Sequence, residues 1–367
     1  MITDKEYLNK QLSIATENGE DGLMNRFLDY GADINSKNEK GETPLITAIK
    51  YYTSQQRSIV SFLLEKGADI NIEHGRFKYR PIDIAKGFDT VEMLLDKGAD
   101  VNSIYGGWTP LHKAVKDGNA SVIKLLLERG ANIEAVVNNN PSSDNFINAR
   151  YYDFTPLMIA VFDHEYDICE LLINLGANVN YETTHGKTCL HIARERDNNE
   201  IVELLIKNGV DVNHKDIEGR TALMYACMYA DSKSYEDVIR LLIQKGADIN
   251  IRDSAGYDVF DYISSGTGIL RGEVKQFDRN GSIFRNKHMD DIIDLLIDKI
   301  ISDVQAMEET LEKKGMEKLA ARTIAIEHFD PRSLSVHSEM REEHRYRKSK
   351  KGGKHKSKRS RTRRNKR

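Results

Sequence analysis

The sequence predicts an all-α solenoid of stacked helix–turn–helix units joined by hairpin loops. Three observations predict it. One stretch, Gly107 to Glu134, reads as a complete two-helix unit. Its closing glycine recurs as Gly31, Gly67, Gly98, Gly130, Gly176, Gly209 and Gly246, at successive spacings of 36, 31, 32, 46, 33 and 37 residues. Its opening Thr recurs as Thr43, Thr109, Thr155, Thr188 and Thr221, with Arg80 and Asp258 at the matching places. A registered period near 33 residues marks a repeat array, in which each unit buries its faces against copies of itself.

Within the unit, Thr109 is an N-cap whose hydroxyl accepts from a first-turn amide. Pro110 follows at the first helical position, where its missing N–H costs nothing. Leu111 and Ala114 share one face of this short helix, and Gly118 ends it. Val122, Ile123, Leu125, Leu126 and Leu127 make a second, more apolar helix, closed by Gly130 in the left-handed conformation that Gly adopts cheaply. The small residue of the first helix recurs as Ala15, Ala48, Ala85, Ala114, Ala160, Ala193 and Ala226. After each closing Gly come Ala, or Val210 once, then Asp or Asn, Ile or Val, and Asn, with Glu134 in one copy.

In chain order, the first repeat, about Tyr7 to Asn35, opens without Thr-Pro and has a polar turn of Glu17, Asn18, Glu20 and Asp21, as a terminal cap does. The second is stretched at Tyr51 to Gln56. The third opens at Arg80-Pro81-Ile82, with its first helix shortened around Gly87. A loop rich in Asn, Ser and Pro, Ala135 to Tyr152, follows the fourth and accounts for the 46-residue spacing. The seventh is stretched at Ala230 to Tyr235. The eighth opens at Gly256-Tyr257-Asp258 and is interrupted near Ser264 to His288. Ile292, Ile293, Leu296, Ile300, Val304, Met307 and Leu311 then predict an amphipathic helix from about Met289 to Leu311. It reads as a cap on the end of the stack; the alternative is a partner or dimer helix. The Asp290, Asp291, Asp294 and Asp298 row reads as its solvated face. A further helix is expected from about Glu317 to His328, ended by Pro331. The expected domains are residues 1–300, the repeats; 301–344, a helical extension; and 345–367, a basic tail.

TPLHKAV at Thr109 to Val115, TCLHIAR at Thr188 to Arg194, and the GADIN and GADVN closings identify a resemblance to the ankyrin-repeat family. It covers roughly residues 7 to 300, as seven repeats and a degenerate eighth. Cys189 and Ala222 stand where the family has Pro. The resemblance implies a non-enzymatic protein–protein interaction scaffold, which holds its partner by hairpin tips and the exposed side of the first helices. It also implies that His112 and His191 tie neighbouring turns together. The position between the turn Gly and the capping residue is Glu42, Tyr79, Trp108, Phe154, Lys187, Arg220 and Tyr257. It is aromatic in the third, fourth and fifth repeats, and Trp108 is the single Trp of the chain. Phe77, Tyr105, Tyr151 and Tyr152 lie in the adjoining hairpins, and Phe162 stands where Lys50 and Lys116 stand elsewhere. Phe77, Tyr79, Tyr105, Trp108, Tyr151, Tyr152, Phe154 and Phe162 are therefore the candidate partner-binding residues. The alternative is that these rings pack on each other and on the Ala135 to Tyr152 loop.

The formal net charge of −3 hides two opposed charges. Fourteen of the 54 Lys and Arg fall in Arg345 to Arg367, which has no acid. The preceding 344 residues then carry 40 basic against all 57 acidic side chains, so −17 stands beside +14. A segment of this composition buries too little apolar surface to fold and is expected to be disordered. Its Arg345, Arg347, Lys348, Lys350, Lys351, Lys354, Lys356, Lys358, Arg359, Arg361, Arg363, Arg364, Lys366 and Arg367 are candidate contacts for nucleic acid or another polyanion. A nucleic-acid-associated protein anchored by this tail is the alternative function. The tail is similar to basic tails in giant DNA viruses, which also carry large ankyrin families. The poxvirus-like ankyrin proteins with an F-box suggest a ubiquitin-ligase substrate adaptor as a minor alternative, although no F-box is evident between Asp303 and His344.

The polar opening MITDKEYLNK is no secretory leader, and no apolar run is long enough to span a membrane. The expectation is a soluble protein of the cytoplasm or nucleus, with no membrane or small-molecule partner. Cys169, Cys189 and Cys227 fall at core positions of their repeats and read as small packing residues. There is no phosphate-binding loop, His-Glu-x-x-His, nucleophile elbow or kinase signature, and no Cys/His spacing for zinc. No enzymatic activity, cofactor or metal is expected.

Overall fold

The computed structural model describes residues 4–50, 56–75, 78–138, 150–195, 199–228, 233–264, 287–314 and 316. Among them the regular structure is helical, with two isolated antiparallel bridges, His74 with Tyr79 and Tyr105 with Trp108. The chain forms two compact units, Met1–Val210 and Asp211–Arg367.

In the first unit the helices come in pairs: α1 (Lys5–Asn18) with α2 (Asp21–Asp29), α3 (Pro44–Lys50) with α4 (Gln56–Glu65), and α5 (Pro81–Ile84) with α6 (Phe88–Asp96). Three more follow: α7 (Pro110–Lys116) with α8 (Ala120–Glu128), α9 (Pro156–Phe162) with α10 (Tyr166–Asn174), and α11 (Cys189–Glu195) with α12 (Asn199–Lys207). First helices pack on first helices, α1 on α3, α7 on α9 and α9 on α11. Second helices make the other layer, α4 on α6, α6 on α8 and α10 on α12. A first helix is thus flanked on both sides and backed by its partner. Pro156 to Val161 of α9 are accordingly all buried, and in α7 only Lys113 and Lys116 escape burial. The second helices keep a polar face: α8 buries Val122, Ile123, Leu125 and Leu126 and leaves Lys124 and Glu128 outside.

The caps follow the sequence. Thr109 Oγ1 accepts from the His112 amide at 3.4 Å, and Thr155 Oγ1 from the Met158 amide at 3.3 Å. Gly130 has φ +88°, and the following Ala131 amide returns to the Leu126 carbonyl at 2.9 Å. The Asp or Asn two residues after each closing Gly makes an Asx turn, accepting from the amide two residues on; Asp100 does so from Asn102 at 2.9 Å. The final Asn of the motif then reaches into the next repeat. Asn102 Oδ1 accepts from the Asn132 amide at 2.8 Å and its Nδ2 donates to the Gly130 carbonyl at 3.2 Å. Glu134, the one departure, keeps the acceptor half of this clasp: its Oε1 takes the Asn178 amide at 2.7 Å across the long loop.

The expected shortening of the third repeat is present. α5 has four residues where α3, α7, α9 and α11 have seven. Ala85 is extended, and Gly87, at φ −82°, caps α6. At the start of the chain, Asp4 caps α1 by accepting from the Glu6 amide at 3.0 Å.

The second unit holds α13 (Ala222–Met228), α14 (Lys233–Gln244), α15 (Val259–Ser264) and α16 (Lys287–Lys313). Asp258 caps α15, accepting from the Phe260 amide at 3.0 Å, and Asp261 returns the favour to the Asp258 amide at 2.9 Å. α16 packs on α14 and α15. Its Ile292, Leu296 and Ile300 are buried, while Val304, Met307 and Leu311 are half-buried. The helix runs two residues further at each end than the apolar stripe suggests. The domain boundary expected at residue 300 falls inside it. The expected helix from Glu317 to His328, the tail from Arg345 to Arg367, and most of the insertions at 51–56 and 264–288 lie outside the described residues.

Candidate aromatic interface of the third to fifth repeats

Two histidines set the frame. The backbone N–H of Thr109 donates to His112 Nδ1 at 3.0 Å, so that nitrogen carries no proton. Nε2 therefore carries it and donates to the Ala135 carbonyl at 2.9 Å, tying the fourth repeat to the start of the next hairpin. Burial pushes the His112 pKa down to about 4, against the pull of the Ala135 and Phe154 carbonyls. The Thr188 amide donates to His191 Nδ1 at 3.1 Å in the same way. Both rings are buried.

The hairpins carry the aromatic rings. Tyr105 and Trp108 exchange backbone hydrogen bonds of 2.8 and 3.0 Å across Gly106 and Gly107, whose φ values are +57° and +84°. Two successive positive φ angles make the primed two-residue turn that Gly-Gly favours. Its tightness plants the Trp108 side chain immediately before the α7 cap. In the preceding hairpin Tyr79 pairs with His74, whose buried ring contacts it at a centroid distance of 5.8 Å. Burial lowers the His74 pKa. In the following one, the Phe154 amide donates to the Tyr151 carbonyl at 3.0 Å, and Asp153 adopts φ +66°.

The rings form two clusters. Tyr79 meets Tyr105 edge-on at 5.8 Å. Trp108 meets Tyr151 at 5.4 Å and His112 at 5.9 Å, and Tyr151 meets Phe162 at 5.3 Å and Phe154 at 6.3 Å. The Tyr105–Trp108 hairpin joins the two. Tyr151 is 4% exposed and Tyr152 45%; Tyr79, Tyr105, Trp108, Phe154 and Phe162 are half-buried. Tyr151 is thus the strut behind the row, and Tyr152 its most open ring. Phe77 lies outside the described residues, as do residues 139–149 of the long loop.

A lysine at the last residue of a first helix braces each cluster. Lys50 donates to Glu42 Oε1 and, at 2.9 Å, to the Tyr79 hydroxyl. Lys116 donates to the Tyr151 hydroxyl and to Asp163 Oδ2, both at 2.8 Å, while that hydroxyl donates to Asp163 Oδ1 at 2.9 Å. Burial pulls both ammonium groups down, and the carboxylate and phenol partners more than offset it, so both pKa values lie above the usual one. Tyr79 and Trp108 were legible from their repeat position. The bracing roles of Lys50, Lys116 and Asp163 were not, because the bonds join residues 8 to 47 apart across different elements. The three cysteines are buried thiols, and burial raises the Cys169 pKa to about 12. Among the described residues no His, Cys, Asp or Glu group is arranged to hold a metal ion, and no helix is long and apolar enough to cross a membrane.

A family profile described as ankyrin repeats, in three copies, matches residues 12–105, 84–183 and 157–253. Among solved structures, the ankyrin repeat domain of Bcl-3, described as a unique member of the IkappaB protein family, is similar. It shares 29% sequence identity at a TM-score of 0.52, covering 62% of this chain and 97% of that one. Among curated proteins, a probable serine/threonine-protein kinase of Dictyostelium discoideum is 29% identical over 109 residues. These are 30% of this chain and 9% of the length of that relative.

Proposed function

Because the chain belongs to the ankyrin-repeat family, we propose that it is a non-enzymatic scaffold that grips a protein partner with the aromatic edge of its third, fourth and fifth repeats. The observation that carries this reading is the row Tyr79, Tyr105, Trp108, Phe154 and Phe162. These rings are held in place by hairpin geometry and lysine braces, yet left half in solvent. Rigid, half-exposed Tyr and Trp present large contact area with little side-chain entropy left to lose, and such residues dominate binding hot spots. The aliphatic core of the stack is complete without them.

The test is capture of partners by proximity labelling with the full chain and with Trp108→Ala. Loss of the same partners from the variant, with its melting temperature largely retained, is the expected result. Partners retained by a folded Trp108→Ala protein move the binding face elsewhere.

A second reading rests on the charge division, −17 against +14. Here Arg345 to Arg367 bind nucleic acid or another polyanion without sequence preference, and direct the protein within the cytoplasm or nucleus of its cell, a host cell for a viral source. If about 6 basic residues meet phosphates, log K falls with log salt at a slope near −5. An aromatic protein interface changes little over the same range. A chain cut after His344 that binds DNA as the full chain does removes this reading.

A further inference from the structure

The third repeat breaks the pattern where its first helix ends at Ile84. A helix end leaves carbonyls without intrahelical donors, and here side chains of the next repeat supply them. Lys113 Nζ donates to the Asp83 carbonyl at 3.2 Å, and Asn119 Nδ2 to the Lys86 carbonyl at 3.1 Å. Beside the truncated end lies a notch of about 190 Å³, walled by Ile84, Tyr105, Trp108 and Pro110, with Asp83 and Lys113 also in its lining.

Donors and acceptors in this notch do not balance. Asp83 is the one carboxylate in the lining, and both its oxygens are engaged. Oδ2 accepts from the Arg80 amide at 2.7 Å and Oδ1 from the Ser103 hydroxyl at 3.0 Å. Lys113 carries three N–H donors and, among the described residues, has one acceptor, at 3.2 Å.

We propose that this notch receives the carboxylate of an Asp or Glu side chain from the bound partner, with Lys113 as its donor and Tyr105, Trp108 and Pro110 flanking its stem. The assignment rests on the aromatic edge being the partner-binding face and adds the chemistry of the residue anchored there. A carboxylate fits because the notch has donors to spare and its own acid is already spent. Burial holds the Lys113 pKa below its usual value even with the Asp117 and Asp83 carboxylates nearby, so an incoming anion adds support to a charge that burial leaves poorly solvated.

The experiment selects a displayed random-peptide library on the full chain and measures labelled peptides by fluorescence anisotropy. Selected peptides are expected to share an Asp or Glu at one position, and changing it to Asn or Gln should weaken binding about tenfold or more, as loss of a charged hydrogen bond does. Lys113→Met should bind the acid and amide peptides alike, and Lys113→Arg should restore the preference, which separates a lost contact from a lost fold. Equal binding of acid and amide forms by the unaltered chain overturns the proposal. So does an acid preference that survives in a folded Lys113→Met protein, or one that appears only after residues 139–149 are deleted, which would make that segment the occupant. Peptides that depend on Trp108 but ignore the acid leave the aromatic face standing and remove the notch assignment alone. Peptides indifferent to both Trp108→Ala and Lys113→Met remove both.

Discussion

The closing turns and the opening hairpins of the repeats obey different rules. Every closing glycine, from Gly31 to Gly246, has a φ between +82° and +98°, and the same Asx turn follows each one. Where the sequence departs there, the bond persists: Glu134 accepts in place of Asn, and Asn9 of α1 takes the Asp33 amide at 2.8 Å. The opening hairpins vary instead. Asn38 pairs with Glu42 and Thr183 with Lys187 across three residues, His74 with Tyr79 across four, and Tyr105 with Trp108 across two. The residue before their capping position is Glu, Tyr, Trp, Phe, Lys, Arg or Tyr, from buried Glu42 to exposed Tyr257. Regularity marks the groups that hold repeats together, and variation falls at the positions that carry the proposed partner surface.

The comparison can be strained from several sides, and the largest effect belongs to the framework. The folded His112 pKa of about 4 lies below an unfolded value near 6.5. The unfolded chain therefore takes up the proton first as pH falls. The stabilisation is fully present above about pH 6.5, declines below it, and is gone by about pH 4. A difference of roughly 2.5 units corresponds to about 3 kcal/mol. Urea unfolding across this range should show a steeper loss for the natural chain than for His112→Gln. Equal slopes would mean that burial does not depress the His112 pKa in the folded chain.

On the recognition side, Trp108→Ala should cost about 2 kcal/mol or more in partner affinity. Its effect on urea stability should be smaller, because the rings of Tyr151, Phe154 and Phe162 still pack against one another. A large stability loss with affinity intact would move Trp108 to the framework.

Two glycines sharpen the contrast further. A Cβ on Gly219, in an opening hairpin, would stand 3.0 Å from the Ser254 amide nitrogen and 3.1 Å from Asp253 Cα, on a backbone with φ +77°. Gly219→Ala should destabilise by roughly 2 kcal/mol, from left-handed strain and a backbone clash together. Gly130→Ala meets nothing within 4 Å at φ +88° and should cost only the strain, about 1 kcal/mol. Chemical denaturation that ranks them the other way would contradict the packing. The smallest effect is expected at the clasps. Asn102→Ala removes the Asn132 and Gly130 bonds and should cost about 1 kcal/mol, visible as faster amide exchange at Asn132. Glu134→Gln keeps an acceptor oxygen for the Asn178 amide and should leave its exchange rate nearly unchanged.

The sequence by itself determined the helix pairs, their caps, the closing turns and the truncated third repeat. All of these are written in local chemistry: Thr before Pro, apolar residues three or four apart, a Gly where φ must be positive. It also marked Tyr79, Trp108 and Phe154 as exceptional, because a fixed period makes a departure visible. Only the tertiary structure decided which rings stay open and which become struts. Tyr151 and Tyr152 are neighbours of the same type, yet one is buried against Trp108 and held by Lys116 and Asp163 while the other stands in solvent. Only the tertiary structure, likewise, set Lys113 against the Asp83 carbonyl and left the Trp108 N–H without a partner among the described residues. These contacts join residues 12 to 47 positions apart. They depend on how one repeat seats on the next, and side-chain spacing along the chain carries no record of that.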